Sequence, residues 1–356
     1  MSAPEPINVA DYEALAASKL EPGPLGYFAG GAADERTLRR NVDAFTEWEL
    51  MPRVLVDVSD VDPSIELFGR TLSMPLLVAP VAFQRAAHPD GEEGMARAAG
   101  AAGTTMCLST IATATPASVA AAAPDTNRWL QLYCFSDRAV TEAIIAEAVG
   151  SGFSAIALTV DAPRAGRRER DLRTGVKTEH SAPAVQAAVG SDVPLTPKEV
   201  FDLVDPSLDW DSLAALVDSC ELPILLKGLM APADAELAIE AGAAGVIVSN
   251  HGGRQLDGVP ATIDVLGDVA DAVAGRVPVL VDGGVRRGGD VLTALALGAS
   301  AVQVGRPALW GLTAGGEAGA HHVLELLKAE IELGLTLLGC PTPADVTRRH
   351  VRRARR

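Results

Sequence analysis

Gly245-Val246-Ile247-Val248-Ser249-Asn250-His251-Gly252-Gly253-Arg254-Gln255-Leu256-Asp257-Gly258 passes from four aliphatic or small residues straight into a polar, glycine-rich loop. The apolar run reads as a strand buried on both faces, as in a parallel sheet. A histidine then stands where the strand gives out, the end at which parallel strands commonly present a general base. Arg254, on the same loop, has the planar fork needed to clamp a carboxylate. A plainer reading is a structural histidine in a glycine-rich turn, with Arg254 paired to Asp257. The rest of the chain decides between them, because its other polar residues converge on the same end of the strands.

Short apolar runs recur at 76–80, 105–110, 129–133, 155–161, 223–228, 245–250, 278–283 and 301–306. Between most of them lie alanine-rich segments with helical spacing, at 91–102, 139–151, 232–241 and 288–297. Strands alternating with helices of this length imply right-handed crossovers and a parallel sheet. Eight such units are what a closed (β/α)8 TIM barrel requires. The rival, an open doubly wound sheet, calls for a G-x-G-x-x-G after its first strand, and none is there. We therefore expect an α/β chain forming one domain over 1–356: an N-terminal helical cap (1–74), a barrel (75–340) and a basic tail (341–356). In the cap, Asn8 offers an N-cap to an alanine-rich helix that Pro22, Gly23 and Pro24 would end, and a charged helix follows around 34–45. One connection is out of scale. The segment 162–210 after strand four is far longer than the usual βα loop, which suggests a lid, mobile at about 178–194.

Composition narrows the function classes. The chain of 356 residues is 48% hydrophobic, has 34 glycines and carries a formal charge of −16, which disfavours a nucleic-acid surface. The arginine-rich run 348–356 could touch anionic lipid or nucleic acid, but reads more simply as a frayed, solvated terminus. Cys107, Cys134, Cys220 and Cys340 lie far apart, which fits a reducing compartment and neither a disulfide framework nor a metal site. His321-His322 has no partner ligands in sequence and reads as surface or packing. Neither a signal peptide, a membrane-spanning run nor a C-terminal peroxisomal signal is legible, so a cytoplasmic protein without membrane or nucleic-acid partners is expected.

The strand ends supply Pro80, Ser109, Gln131 with Tyr133, Thr159 with Asp161, Lys227, Ser249 with His251, Asp282, and Gly305 with Arg306. Together they describe one polar site lined from every side. The turns Asp282-Gly283-Gly284-Val285-Arg286 and Val304-Gly305-Arg306-Pro307 fall after strands seven and eight, where barrels commonly hold a phosphate; ordinary tight turns are the alternative. Lys227 could form a Schiff base, or lend positive charge to a cofactor that becomes anionic on reduction. The residues alone thus point to a phosphate-bearing cofactor, a histidine base and an arginine-bound acidic substrate.

These motifs resemble the FMN-dependent L-2-hydroxy-acid oxidases and dehydrogenases, a family that includes glycolate oxidase, lactate oxidase, mandelate dehydrogenase and 4-hydroxymandelate oxidase. The likeness runs from Asp11-Tyr12-Glu13 to about Val351 and rests chiefly on residues 249–257. Leu158-Thr159-Val160-Asp161, Gln131-Leu132-Tyr133, Leu226-Lys227-Gly228, 282–286 and 87–92 add to it. The resemblance implies FMN as cofactor, oxidation of a 2-hydroxy acid to the 2-keto acid, and O2 as the acceptor giving H2O2. It implies that His251 accepts a proton while Asp161 holds the imidazole. Arg254 and Arg168 bind the substrate carboxylate with help from Tyr27, Tyr133 meets the reacting hydroxyl, and Lys227 stabilises negative charge on the flavin. Pro80, Val81, Ala82, Ser109, Gln131, Thr159 and Ser249 line the flavin ring, with Asp282 near the ribityl chain. Residues 283–286 (Gly283, Gly284, Val285, Arg286), with Gly305 and Arg306, hold the phosphate region. A homotetramer (or octamer) is implied by the same analogy.

Two positions depart from glycolate oxidase: Ile111 replaces a tryptophan and Ala165 a leucine, so a substrate larger than glycolate is expected. Competing readings are a quinone- or cytochrome-linked dehydrogenase, a lactate 2-monooxygenase-type reaction, an FMN-dependent isomerase and a non-catalytic flavin scaffold.

Overall fold

Strand side chains alternate between two faces, and here that alternation builds two separate cores. The computed structural model describes residues 5–174 and 181–355. Its barrel strands are β1 (Leu76–Val78), β2 (Met106–Ser109), β3 (Arg128–Leu132), β4 (Ala155–Thr159), β5 (Ile224–Leu229), β6 (Gly245–Val248), β7 (Val279–Asp282) and β8 (Ala301–Val304). Each pairs in parallel with the next, and β8 returns to β1, so the barrel closes as expected. Outward residues such as Leu108, Leu130, Leu158 and Val246 pack beneath the helices. Inward ones, including Leu77, Cys107, Trp129, Ala157, Leu225, Ile247 and Leu280, form a second cluster. A hairpin, Ile65–Leu67 and Arg70–Leu72, plugs the amino end of that inner core, with Phe68 edge-on to Trp129 at 5.6 Å.

Two residues further along, the inward position turns polar in every strand but β1, where Ala79 follows Leu77. Adjacent strands hold these polar residues level: Ser109 opposite Gln131, Thr159 opposite Lys227, and Asp282 opposite Gln303. An apolar floor beneath a polar layer is therefore written into the two-residue period, and it places the site at the carboxyl end of the barrel.

The cap differs from expectation at its first proline. Helix Val9–Lys19 is capped by Asn8, whose side chain accepts from Asp11 N at 2.9 Å, and it ends before Pro22. Pro22 then opens a helix of its own, Pro22–Ala29, because a first-turn position needs no N–H donor. That helix carries Tyr27. The third helix spans Arg36–Asp43.

Among its described residues the segment after β4 forms three short helices, Glu169–Thr174, Pro183–Ala188 and Pro197–Asp202. Of the stretch expected to be mobile, 178–180 lies outside the described residues. The remainder contains Pro183–Ala188, whose Val185 is fully buried against the main core.

The basic tail is not a frayed, solvated end. Val351–Arg353 pairs antiparallel with Trp48–Leu50. Arg353 bonds Glu47 and Asp264, stacks over the Trp48 ring at 4.6 Å, and Arg352 bonds Glu49. In so acidic a chain the arginines find carboxylates close by; each pair is weak, but the strand and stacking act with them. His322 bonds the Tyr12 hydroxyl at 2.7 Å, which is a packing role. All four cysteines are free, and no helix among the described residues is long and apolar enough to cross a membrane.

Candidate active site

His251 sits three residues beyond β6 in a left-handed conformation (φ 58°), strain that a non-glycine residue bears only where its surroundings hold it. Its N–H donates to Ser249 Oγ at 3.1 Å. Asn250 braces the turn, accepting from Gly253 N at 3.2 Å and exchanging two 2.8 Å amide bonds with Asn41 of the cap. Gly253 must be glycine: φ is 77° and a Cβ would lie 2.6 Å from Leu38 N.

The ring Nδ1 of His251 lies 3.0 Å from Asp161 Oδ1. Burial pushes the Asp161 carboxyl up, but His251 and Lys227 outweigh it and leave the pKa below the ordinary value. An ionised carboxylate only accepts, so Nδ1 carries the proton and Nε2 presents its lone pair. Burial also lowers the imidazole pKa, offset in part by Asp161, so His251 is neutral near pH 7. This is a free base in a fixed tautomer.

Behind it runs a charged relay. Lys227 Nζ donates to Ser249 Oγ at 2.7 Å, and that hydroxyl donates to Asp282 Oδ1 at 2.7 Å. Burial pushes the Lys227 ammonium down, but Asp282 and Asp161 more than offset it, and the pKa ends raised. A lysine held protonated is a fixed positive charge and a poor Schiff-base nucleophile, which decides between the two roles considered for it.

Arginines line the rest of the mouth. Arg254 donates through Nη1 to the backbone oxygens of Tyr27 and Gly30, with its guanidinium 4.8 Å from the Tyr27 ring centre. Arg168 lies against Phe201, and its Nε donates to Arg254 O at 3.4 Å. Asp257 takes no part: it accepts from Arg36 N and Thr37 N, which removes the plainer Arg254–Asp257 reading. Burial and then Arg168 drive Arg254 down to about 10. Arg306, bonded to the oxygens of Phe28, Gly252 and Gly30, falls to about 9 through burial and its neighbours Arg254 and Arg286. Guanidiniums crowded to this extent favour anions beside them.

Of the residues expected at the site, Tyr27, Pro80, Val81, Ala82, Ser109, Ile111, Gln131, Tyr133, Thr159, Arg168, Lys227, His251, Arg254, Asp282, Gly283, Gly284, Val285, Arg286, Gly305 and Arg306 line a single cavity. Asp161 and Ser249 stand behind its wall, bonded to His251 and Lys227. Ala165 does not join them; it is exposed on the long insert. Phe201, Gln303 and Leu309 line the cavity too and were missed. Gln303 was findable, two residues after the inward Ala301, whereas nothing in the sequence brings Phe201 to the mouth. Gln255 was also missed. Its amide donates to the oxygens of Asp161 and Arg164 and accepts from Gly166 N, strapping the insert to the His251 loop.

Several buried polar atoms around the cavity lack partners among the described residues: Gln131 Nε2, Thr159 Oγ1 and both amide atoms of Gln303. Buried polar groups are rarely left unmatched, so these point to a polar-edged ligand. The profile of the FMN-dependent dehydrogenase family matches residues 16–353. Glycolate oxidase 1 of Oryza sativa subsp. indica is 47% identical over 352 residues, covering 97% of this chain and 95% of the relative. Among solved structures, mandelate oxidase with (S)-4-hydroxymandelic acid superposes with a TM-score of 0.90 at 39% identity, covering 98% of each chain. A Pediococcus acidilactici chain assigned as a lactate oxidase gives 0.94 at 36% identity, with 100% of this chain and 97% of that one covered.

Proposed function

The chain belongs to the FMN-dependent dehydrogenase family and takes FMN as its cofactor, and from that premise we propose that it oxidises an L-2-hydroxy acid to the 2-keto acid while O2 becomes H2O2. The reaction balances as R–CHOH–COO⁻ + O2 → R–CO–COO⁻ + H2O2. The observation that carries it is a carboxylate-oriented, neutral His251 facing the same cavity as Arg168 and Arg254.

The cavity fits FMN. Gln131, Thr159 and Gln303 have free polar atoms for a ring edge, and Arg286, Arg306 and the turns at 283–284 and 305 suit a phosphate. When bound, FMN supplies the acceptor for two electrons. Arg254 and Arg168 would take the substrate carboxylate, with the Tyr27 hydroxyl beside them. Tyr133, whose phenol burial pushes up in pKa, stays protonated and would donate to the reacting hydroxyl. His251 Nε2 would receive the proton the substrate gives up, and the Asp161 carboxylate would stabilise the imidazolium that results. Lys227 would hold developing negative charge from its fixed place beside Asp282.

Side-chain preference follows from Ile111 and Phe201. Both line the cavity, and Phe201 meets Tyr133 at 5.5 Å between ring centres. A lining with an aliphatic side chain and two aromatic rings favours a substrate larger than glycolate, an aryl 2-hydroxy acid foremost. Such pocket differences discriminate by roughly 1–3 kcal/mol. Ala165, being exposed, adds no room. We expect a homotetramer (or octamer) acting in the cytoplasm, where four free cysteines stay reduced.

The test is an anaerobic visible spectrum of the purified protein with a panel of L-2-hydroxy acids, followed by air. Bleaching by mandelate or 4-hydroxymandelate ahead of glycolate, rapid return of the yellow colour and one H2O2 per keto acid are expected. A flavin that stays oxidised with every acid refutes the reaction. Slow reoxidation by air favours a quinone or cytochrome acceptor, and a decarboxylated product a monooxygenase. Glycolate turned over as well as mandelate removes the size preference.

A further inference from the structure

A second cavity, of about 320 Å³, opens at the protein surface behind the end of β4, apart from the arginines and His251. Its wall is apolar, made by Val204, Leu208, Trp210, Leu213, Leu226 and Leu229. Asp205, Asp209 and Asp234 lie at its rim. Two of these carboxylates are engaged: Asp205 pairs with Arg138 at 3.0 Å, and Asp209 caps the helix Trp210–Ser219 through Ser212 N. Asp234 has no hydrogen bond or ion pair among the described residues.

Elsewhere the chain displays a matching projection. Val54, Leu55 and Val56 are 82%, 103% and 41% exposed, three aliphatic side chains in a row in water. Leu55 is also held in a left-handed conformation, φ 59°, which favours glycine. The loop is fastened at both ends: Arg53 N donates to Leu338 O and Asp62 N to Pro341 O, each at 2.9 Å. Gly339 leaves room for it, since a Cβ there would lie 2.4 Å from Arg53 O. Leu333 and Leu337, at the end of the helix Arg306–Leu338, are exposed as well. Arg53, flanking the projection, has no side-chain partner among the described residues. A fixed, apolar and partly strained projection of this kind marks an interface rather than a free loop.

We propose that residues 53–56 of one chain seat in the cavity behind β4 of a second copy, with Arg53 meeting the Asp234 rim. Charge selects this occupant. Chains with a formal charge of −16 repel one another broadly, and this contact sets a cation and an apolar knob against an acid-rimmed apolar hole. Knob and hole are different surfaces, so the contact is head-to-tail rather than two-fold, and we take its rotation to close into a ring. It gives the expected homotetramer a specific contact and stands or falls independently of the reaction, because its readout is assembly.

The experiment uses the FMN-loaded full chain. Light scattering after size exclusion should give wild type a multiple of the chain mass and Leu55→Asp a smaller species, with flavin content and melting temperature preserved. Arg53→Glu should weaken assembly, and combining it with Asp234→Arg should restore it. Under oxidising conditions, with Cys134, which lines the cavity, and the partly exposed Cys220 first replaced by serine, mixed Leu55→Cys and Leu208→Cys chains should form a disulfide-linked dimer that neither variant forms alone. A monomeric wild type, an unchanged mass for Leu55→Asp, or self-crosslinking of Leu55→Cys would each overturn the proposal. So would absence of the mixed crosslink, which leaves the cavity to a small ligand.

Discussion

Asp161→Asn keeps the shape of the residue behind His251 and removes its charge. Today the carboxylate at 3.0 Å from Nδ1 does two things: it fixes the proton on Nδ1, and it raises an imidazole pKa that burial has lowered. An asparagine that turns its NH2 toward Nδ1 forces the ring proton onto Nε2, the atom that must be bare. Even with its oxygen toward the ring, it offers no charge to the imidazolium. In a serine–histidine–aspartate arrangement the same exchange costs about 10⁴ in kcat through the wrong tautomer, or about 5.5 kcal/mol, and we expect a loss of that order here. The arginines that would bind the carboxylate make no bond to Asp161, so substrate affinity should change little. Stopped-flow reduction of the bound flavin under anaerobic conditions separates the two parameters. A reduction rate within about tenfold of wild type, with flavin bound, would mean the proton leaves by another route and that Asp161 is only structural.

The pH profile of kcat/KM should rise as His251 loses its proton; with the pKa lowered by burial, that limb lies below the ordinary imidazole value of about 6.5, and a limb above 7 would contradict the base assignment. Arg254→Gln should raise the apparent Kd for substrate by about 10- to 150-fold, the equivalent of losing charge-assisted bonds of roughly 1.5–3 kcal/mol, measured by titrating flavin bleaching. Ile111→Trp should shift kcat/KM from aryl toward short 2-hydroxy acids by about 1–3 kcal/mol, read from paired substrate assays. Gly284→Ala should lower the melting temperature and the flavin content together, since a Cβ would lie 1.9 Å from Asn41 O where φ is 89°; normal flavin content would refute that close approach.

The barrel was legible because its strands are buried on both faces and their polar inward residues fall near the strand ends, two residues after an inward apolar one. Ser109, Gln131, Thr159, Lys227 and Asp282 could all be found that way, and Gln303 obeys the same spacing in β8. Phe201 could not be found. It reaches the mouth from a helix within the long insert, and only three-dimensional packing against Tyr133 and Arg168 shows it. Ala165 fails for the converse reason: its place in the chain suggests the pocket, yet the Gln255 strap fixes the neighbouring backbone and leaves its side chain outside. The first helix does end before Pro22, but the second was missed, since proline can stop one helix and start the next. The arginine-rich tail was misread because its carboxylate partners, Glu47, Glu49 and Asp264, are remote in sequence.

The pairing of Trp48–Leu50 with Val351–Arg353 also sets a timetable for synthesis. The cap, Tyr27 included, leaves the ribosome early, but the strand that clasps it is made some 300 residues later. At about 5–20 residues per second that is an interval of about 15–60 s. Until β8 (Ala301–Val304) is made, the helices Val9–Lys19 and Pro22–Ala29 have no finished barrel to cover, and Val9, Tyr12 and Phe28 lack the core that buries them in the folded chain. Nascent chains stalled before residue 301 should accordingly show the cap open to protease, and chains released at full length should protect it.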